Sequence, residues 1–296
     1  MLQRRTDLAL EAAELQNGDL APGVSRRERM REGYGVTEVE VETEAAAAAL
    51  GKPVGRYATV DLSSLPRREK DAFGRAVRAV REELRQVMAL SPGQSVLVVG
   101  LGNRAVTPDA IGPLCVDHTL VTRHLVEQLP EQFGTFRPVT ALAAGVLGST
   151  GVESGELVHA LCEKLRPDAI LAVDALAARS LERVCTTVQI SSTGIVPGSG
   201  VGNARAALNR ETLGVPVCAV GVPTVVDGAT LAADLLAEAG KADLEPESLR
   251  GFGGEVFVTP RDIDARVADL SRVLGYAVTL ALQEDLELED AEMLLS

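Results

Sequence analysis

The chain has 296 residues, 46% of them hydrophobic and 24% charged, and its 29 Lys and Arg against 42 Asp and Glu give a formal net charge of −13. That length suits one large domain or two of ordinary size with a substantial core. The acidic balance argues against a broad nucleic-acid footprint or an anionic membrane surface, which need concentrated Lys and Arg. An aromatic content of 3% with no Trp argues against a platform for stacking single-stranded bases.

In chain order, the first fifty residues mix charges with Gly23, Gly33 and Gly35. Residues 36–43 (VTEVEVET) then alternate apolar and charged as a half-exposed strand does. Residues 51–62 (GKPVGRYATVDL) read as a turn entering a second strand. Over 66–90, the spacing of Phe73, Val77, Val80, Leu84 and Val87 predicts an amphipathic helix, ended by Pro92 and Gly93. From Ser95 the pattern changes to short, fully apolar runs bounded by glycine at 95–103 (SVLVVGLGN), 170–178 (ILAVDALAA) and 215–223 (VPVCAVGVP). Such runs, with helical stretches at 116–129 and 152–165 between them, predict buried parallel strands in an α/β layered sheet. A terminal helix is expected over 262–283, capped by Asp262.

Charge is uneven: residues 1–90 are neutral, 91–233 carry −3 and 234–296 carry −10. The tail 284–296 holds six acids and no base, the pattern of a solvated or frayed end. The N-terminus has no apolar leader and no window is long and apolar enough to span a membrane, so a soluble protein is expected. Cys115, Cys162, Cys185 and Cys218 form no CxxC pair, which fits a reduced cytosolic setting.

Ligands of open α/β sheets gather at the carboxyl ends of strands, so the polar residues after each apolar run are the first candidates. The first run is followed by LGNRAVTPDAIGP, with Asn103 and Asp109 in a glycine-rounded loop; ILAV is followed by Asp174, at the end of its strand or just beyond; the third is followed by Thr224 and Asp227. Two aspartates converging from adjacent strand ends can share a proton and split acid and base roles, or hold a divalent metal that activates water. Either Asp109 or Asp174 can equally be a cap or a satisfied structural acid. A second loop, 191–208 (SSTGIVPGSGVGNARAAL), concentrates Thr193, Gly194, Gly198, Gly200 and Asn203 in a backbone that can present N–H groups to an anion or oxyanion, with a helix starting near Asn203. It lacks the GxxxxGK[ST] pattern, and GLGN lacks a full GxGxxG, which leaves a nucleotide- or phosphate-binding module as a weaker alternative. His118, His124 and His159 stand in no metal-ligand spacing, His118 and His124 fall on different faces of one expected helix, and no GxSxG elbow is present.

Together, RRTDLALEA, GKPVGRYATVDL, VGLGNRAVTPDAIGP with VTRHL, GVESGE, VDALAARSLERVCTTVQISSTGIVPGSGVGN, LGVPVCAVGVPTVVDGAT and FVTPRDID resemble the germination (spore) proteases of endospore-forming bacteria, in that family's order and over nearly the whole chain. The resemblance implies a cytoplasmic endopeptidase of the forespore or spore core that degrades small acid-soluble DNA-coating spore proteins during germination. It implies a three-layer phosphorylase/hydrolase-like α/β fold with a mainly parallel central sheet, similar to hydrogenase-maturation proteases, and assembly as a homotetramer. Asp109 and Asp174 match the family's proposed catalytic acids, and acids at corresponding strand ends of the maturation proteases contribute to metal binding, so a divalent metal at Asp109/Asp174 stays open. The family's removal of a short N-terminal segment places a cut between Asp7 and Leu8, dividing a 1–7 propeptide from a single 8–296 peptidase domain. Ser192 stands where relatives are expected to carry an acid, and Val196 where a polar residue is common. The motifs VGLGN and TRH also resemble peptidyl-tRNA hydrolases, but their spacing and the acidity of the chain argue against that esterase reading.

Overall fold

The computed structural model describes residues 6–16, 20–65, 69–202, 205–240 and 256–295. Helix α1 (Ala9–Glu14) precedes a hairpin of β1 (Val24–Arg31) and β2 (Tyr34–Val41), then α2 (Glu44–Leu50), β3 (Gly55–Asp61) and α3 (Ala72–Met88). Next come β4 (Val96–Leu101), α4 (Ile111–Asp117), α5 (Arg123–Gln128), α6 (Pro130–Phe133), β5 (Val139–Gly145), α7 (Leu147–Thr150) and α8 (Ser154–Leu165). The chain closes with β6 (Ala169–Ala178), β7 (Thr187–Ser191), α9 (Arg210–Leu213), β8 (Val217–Asp227), α10 (Gly228–Glu238), β9 (Phe257–Val258), α11 (Ile263–Leu282) and α12 (Leu288–Leu295).

The strands of the described residues join one sheet in the order β1-β2-β3-β7-β8-β6-β4-β5, with β9 added to β8. The apolar runs form β4, β6 and β8 and pair in parallel as expected, β5 joins β4 as a further parallel strand that the runs do not include, and β7, β3, β2 and β1 extend the sheet antiparallel. Helices α3, α4 and α11 cover one face, where Val77, Leu84, Ile111 and Leu274 meet Val98, Leu171, Val173 and Val220. Helix α8 covers the other through Val158 and Cys162 against Leu97, Val99, Ile170 and Ala172. The result is a three-layer α/β/α fold, and no helix among the described residues is long and apolar enough to cross a membrane.

The hairpin turns through Glu32 (φ 53°) and Gly33 (φ 84°), the pair of left-handed residues that two-residue hairpins favour. Its charged side chains are used in packing as well as solvation: the fully buried Glu83 of α3 pairs with Arg29 and with Arg31 (3.3 Å), and the buried Glu38 accepts from Arg29 (3.0 Å) and Arg56.

Several expectations need correction. Residues 116–129 are not one helix: α4 stops at Asp117 and α5 starts at Arg123. Between them Thr119 Oγ1 donates back to the Cys115 carbonyl (2.9 Å), Thr122 Oγ1 donates to the Arg137 carbonyl (2.5 Å) and the Leu120 N–H turns to Thr279 Oγ1 (2.9 Å). Threonines that offer the backbone alternative partners in this way break a helix, so His118 and His124 lie on either side of the break. The acidic tail is not frayed: α12 buries Ala291, and Leu286, Leu288 and Leu295 pack on the main core. Asp262 begins α11 but makes no side-chain cap; its carboxylate accepts from Arg266 Nε instead (2.8 Å). The strand ends also move, since β6 continues past Asp174 to Ala178 and β8 past Pro223 to Asp227.

Candidate active site

The first apolar strand, β4, ends at Leu101, and Gly102 then turns with φ 105°. A Cβ at Gly102 would overlap the Asp109 carbonyl, so only glycine lets the loop double back this tightly. Thr107–Asp109 forms one 3₁₀ turn that leads into α4, and Asp109 Oδ2 accepts the Asn103 N–H (2.8 Å). The turn is held at its back by Thr224 Oγ1, which donates to the Pro108 carbonyl (2.6 Å). Asn103 serves the loop itself: its N–H goes to Asp109 and its Oδ1 accepts from Ala105 (3.0 Å).

Asp174 sits inside β6 rather than at its end, but at the point where β4 stops pairing: the ladder runs to Gly100 opposite Val173. The acid is therefore edge-like toward β4 and still paired toward β8. It is 5% exposed, and Oδ1 accepts the N–H of Ala175 (2.9 Å). Burial pushes its pKa well above the ordinary aspartate range, with nearby Asp109 the next contributor and Asp7 also raising it, while the Ala175 N–H and Arg205 oppose the shift. Asp109 is raised more moderately by burial, against the pull of the Asn103 N–H and Arg205. The two sequence-selected aspartates therefore lie within electrostatic reach of each other and of Arg205, and burial raises Asp174 further than Asp109.

The third carboxylate is that of Asp7. Its N–H donates to the Ala177 carbonyl (2.9 Å), while Oδ2 accepts the Ala177 N–H (2.8 Å) and Oδ1 the Ser199 hydroxyl (2.9 Å). Gly200 lies against that carboxylate, and any Cβ there would overlap it. Leu8 and Ala9 are fully buried, and α1 is pinned by Glu11, which accepts the N–H groups of Arg179 (2.7 Å) and Ser180 (2.9 Å). The stretch flanking the expected cut is therefore held against β6 and β7, which the sequence does not reveal: Ala177 contributes only backbone atoms, and Ser199 and Arg205 fit no motif.

Other candidates are placed differently. Gly194 (φ 73°) packs its backbone against Leu208, and Gly198 (φ 74°) opens the turn Ser199–Val201, so both shape the loop around Gly200. Thr193 lies beside the Tyr57 phenol, whose pKa burial raises to about 12. Asn203 lies outside the described residues. Asp227 is used locally, accepting from Thr230 through N–H (3.1 Å) and Oγ1 (2.7 Å) at the start of α10. All four cysteines are buried, and burial raises Cys115 and Cys185 to about 12 and Cys218 to about 11, far from a reactive thiolate. Among the described residues no group of three or more His, Cys, Asp and Glu is arranged to hold a metal. Asp109 and Asp174 supply two carboxylates, short of the three protein ligands of a catalytic zinc site.

Two aspartates raised by burial thus lie on an α/β/α sheet, with the Asp7–Ala9 segment hydrogen-bonded to β6 and β7 of the same sheet. The germination protease family profile matches residues 5–237. A germination protease of Caldanaerobacter subterraneus is 42% identical, with 98% of each chain covered, and one of Clostridium perfringens is 40% identical over the full length of both. The relative from Halalkalibacterium halodurans is 36% identical over 95% of this chain and 94% of its own. The chain belongs to the germination protease family. Among solved structures, the [NiFe] hydrogenase maturation protease HycI of Thermococcus kodakarensis aligns with 16% identity and a TM-score of 0.36, covering 65% of this chain and 97% of its own.

Proposed function

We propose that the chain is a self-processing endopeptidase precursor that cuts its own Asp7–Leu8 bond and then degrades the small acid-soluble proteins of the spore core, working as a cytoplasmic homotetramer. The observation that carries this reading is the seating of Asp7 on β6 at Ala177, three residues along the strand from Asp174, with its carboxylate, N–H and carbonyl all hydrogen-bonded. In the hydrolysis, Asp109 takes a proton from water as the oxygen attacks the peptide carbonyl, and Asp174 supplies the proton that the leaving amine needs. The unequal tuning of the two acids, with burial raising Asp174 further than Asp109, supports that division, since the group that keeps its proton to higher pH is the one suited to act as acid. The pocket of Ala177 N–H, Ser199 hydroxyl and Gly200 would select an acidic side chain before the cut. Glycine loop residues 193, 194, 198 and 200 would then act by shaping that pocket.

N-terminal sequencing of protein matured in solution is the direct test: a new terminus at Leu8 is expected, and an intact terminus or a cut elsewhere refutes the reading. Gly200→Ala should block processing by filling the space of the Asp7 carboxylate, with a rate reduction of about tenfold or more from lost positioning. Normal processing in that variant would show that Asp7 is not read through this pocket. Two carboxylates could still bind a divalent ion with water completing the shell, and such an ion would supply Lewis-acid activation of water. Processing is expected to survive exhaustive chelation, and its loss with recovery on adding one defined divalent metal would assign the pair to metal binding.

A further inference from the structure

The carbonyl of Asp7 is held by two side-chain donors from outside both the aspartate pair and the glycine loop. Lys52 Nζ lies 2.9 Å from it and also donates to the Thr6 carbonyl (3.0 Å), and Gln189 Nε2 donates to it at 3.1 Å. The same Gln189 amide accepts the Ala9 N–H through Oε1 (2.6 Å). One buried glutamine thus bridges the residues on either side of Leu8, and its orientation is fixed, because a flipped amide would lose both bonds.

The fold sets both donors. Lys52 follows Gly51, which ends α2 in the left-handed conformation (φ 70°) and aims the chain back at the N-terminal segment. Gln189 lies on β7 opposite Gly221 of β8, and Gly221 is in turn opposite Asp174 of β6. Asp174 and Gln189 therefore share one row across the sheet, two strands apart, or about 10 Å between backbones. An ordinary buried carbonyl is satisfied by one neutral donor. Here the carbonyl at the expected cut receives an ammonium and an amide, a donor set suited to negative charge developing on oxygen.

We propose that Lys52 and Gln189 form the oxyanion clamp of this enzyme. The inference rests on the reading above that Asp7–Leu8 is the bond cut. As the water oxygen bonds to the Asp7 carbonyl carbon, the C=O π pair moves onto the oxygen facing Lys52 and Gln189, and the water proton passes to Asp109. When the carbonyl re-forms, the C–N bond breaks, its electron pair stays on the Leu8 nitrogen and that nitrogen takes the proton from Asp174. The products are the Asp7 carboxyl and the Leu8 amine, so the elements of one water are consumed.

The test follows the first-order conversion of the full chain by intact mass, together with kcat and KM for a peptide carrying the Thr-Asp-Leu-Ala sequence cut in trans. Lys52→Met and Gln189→Glu should each slow self-processing by about 10²–10³-fold, the cost of losing one oxyanion donor. In trans the loss should fall on kcat with KM little changed. Lys52→Arg, which keeps a charged donor, should recover part of the rate. Gln189→Glu keeps size and the Oε1 acceptor, and melting temperatures of all variants guard against loss of fold. Wild-type protein that cuts after Asp7 beside a folded Lys52→Met variant that cuts as fast would overturn the clamp alone. A loss confined to KM would overturn it too, marking the pair as binding groups. Wild-type protein that cuts elsewhere would overturn the underlying reading and the clamp with it.

Discussion

Asp174→Asn is expected to lower self-processing by about 10²–10⁴-fold, the usual worth of a positioned acid or base, and at the same time to raise the melting temperature at neutral pH. The sign of the stability change follows from the direction of the shift. Burial raises Asp174 in the folded chain, so the folded state binds this proton more tightly than the unfolded state does. Stability relative to the asparagine variant is therefore unaffected below the ordinary value of 3.8, falls as pH rises through the window up to the folded-state pKa, and levels off above it. The variant's advantage should open across that window. Asp109→Asn should lose comparable activity with a smaller gain, because Asp109 is less buried and keeps the Asn103 N–H as partner. Wild-type rates should follow a bell whose two limbs both lie above the ordinary aspartate range, since both acids shift upward. Thermal melts and processing rates across pH check all of this; full activity in either variant would remove that residue from the chemistry, and a destabilised Asp174→Asn would contradict the buried-charge argument.

Gly112→Ala should produce the largest loss of stability, about 3 kcal/mol or more, which for a chain of this size is roughly 6–12 °C in melting temperature. A Cβ at Gly112 would stand 2.5 Å from both the Leu101 nitrogen and the Val173 carbonyl oxygen, closer still to the Leu101 carbonyl, and none of these backbone atoms can rotate away. Gly100 on β4 faces Gly112, and the pair lets α4 lie directly on the sheet. Because Asp109 is carried two residues before α4, lifting the helix also moves the acid away from Asp174, so activity should fall with stability. Gly148→Ala, with no atom near its missing side chain, is the neutral control. If Gly112→Ala melted with the wild type, the contact between α4 and β4 would not be what sets the position of Asp109.

The parts of this architecture legible in the sequence are those whose signal is local. Val96–Val99, Ile170–Val173 and Val217–Val220 are buried on both faces and read as uninterrupted apolar runs. The acids that follow two of them, Asp109 and Asp174, stand out because a carboxylate beside such a run needs a reason. What stayed hidden depends on partners far along the chain. Strand β1 reads as loop because Arg26, Arg27 and Glu28 are exposed on it. The break at Thr119–Thr122 comes from carbonyls and hydroxyls supplied by Arg137 and Thr279, neither of them local. Helix α12 looks like a solvated tail because its acids outnumber the few leucines and the alanine that anchor it. Around Asp7, Lys52, Gln189 and the Ala177 amide meet only once the sheet has formed, so no spacing announces them.

The charges that disguise β1 also govern how one molecule meets another. Among the described residues β1 is an outer strand of the sheet, and the backbone donors and acceptors of an outer strand are what another extended chain could zip onto. Arg26, Arg27, Glu28, Arg29 and Arg31 line that strand, and Arg29 and Arg31 are tied down by Glu38 and Glu83. A second β1 added alongside would have to dehydrate a dense set of guanidinium groups, and much of its charge would face like charge. The hairpin therefore works as a colloidal guard: it closes the sheet with a strand regular enough to protect the core and too highly charged to recruit a neighbour.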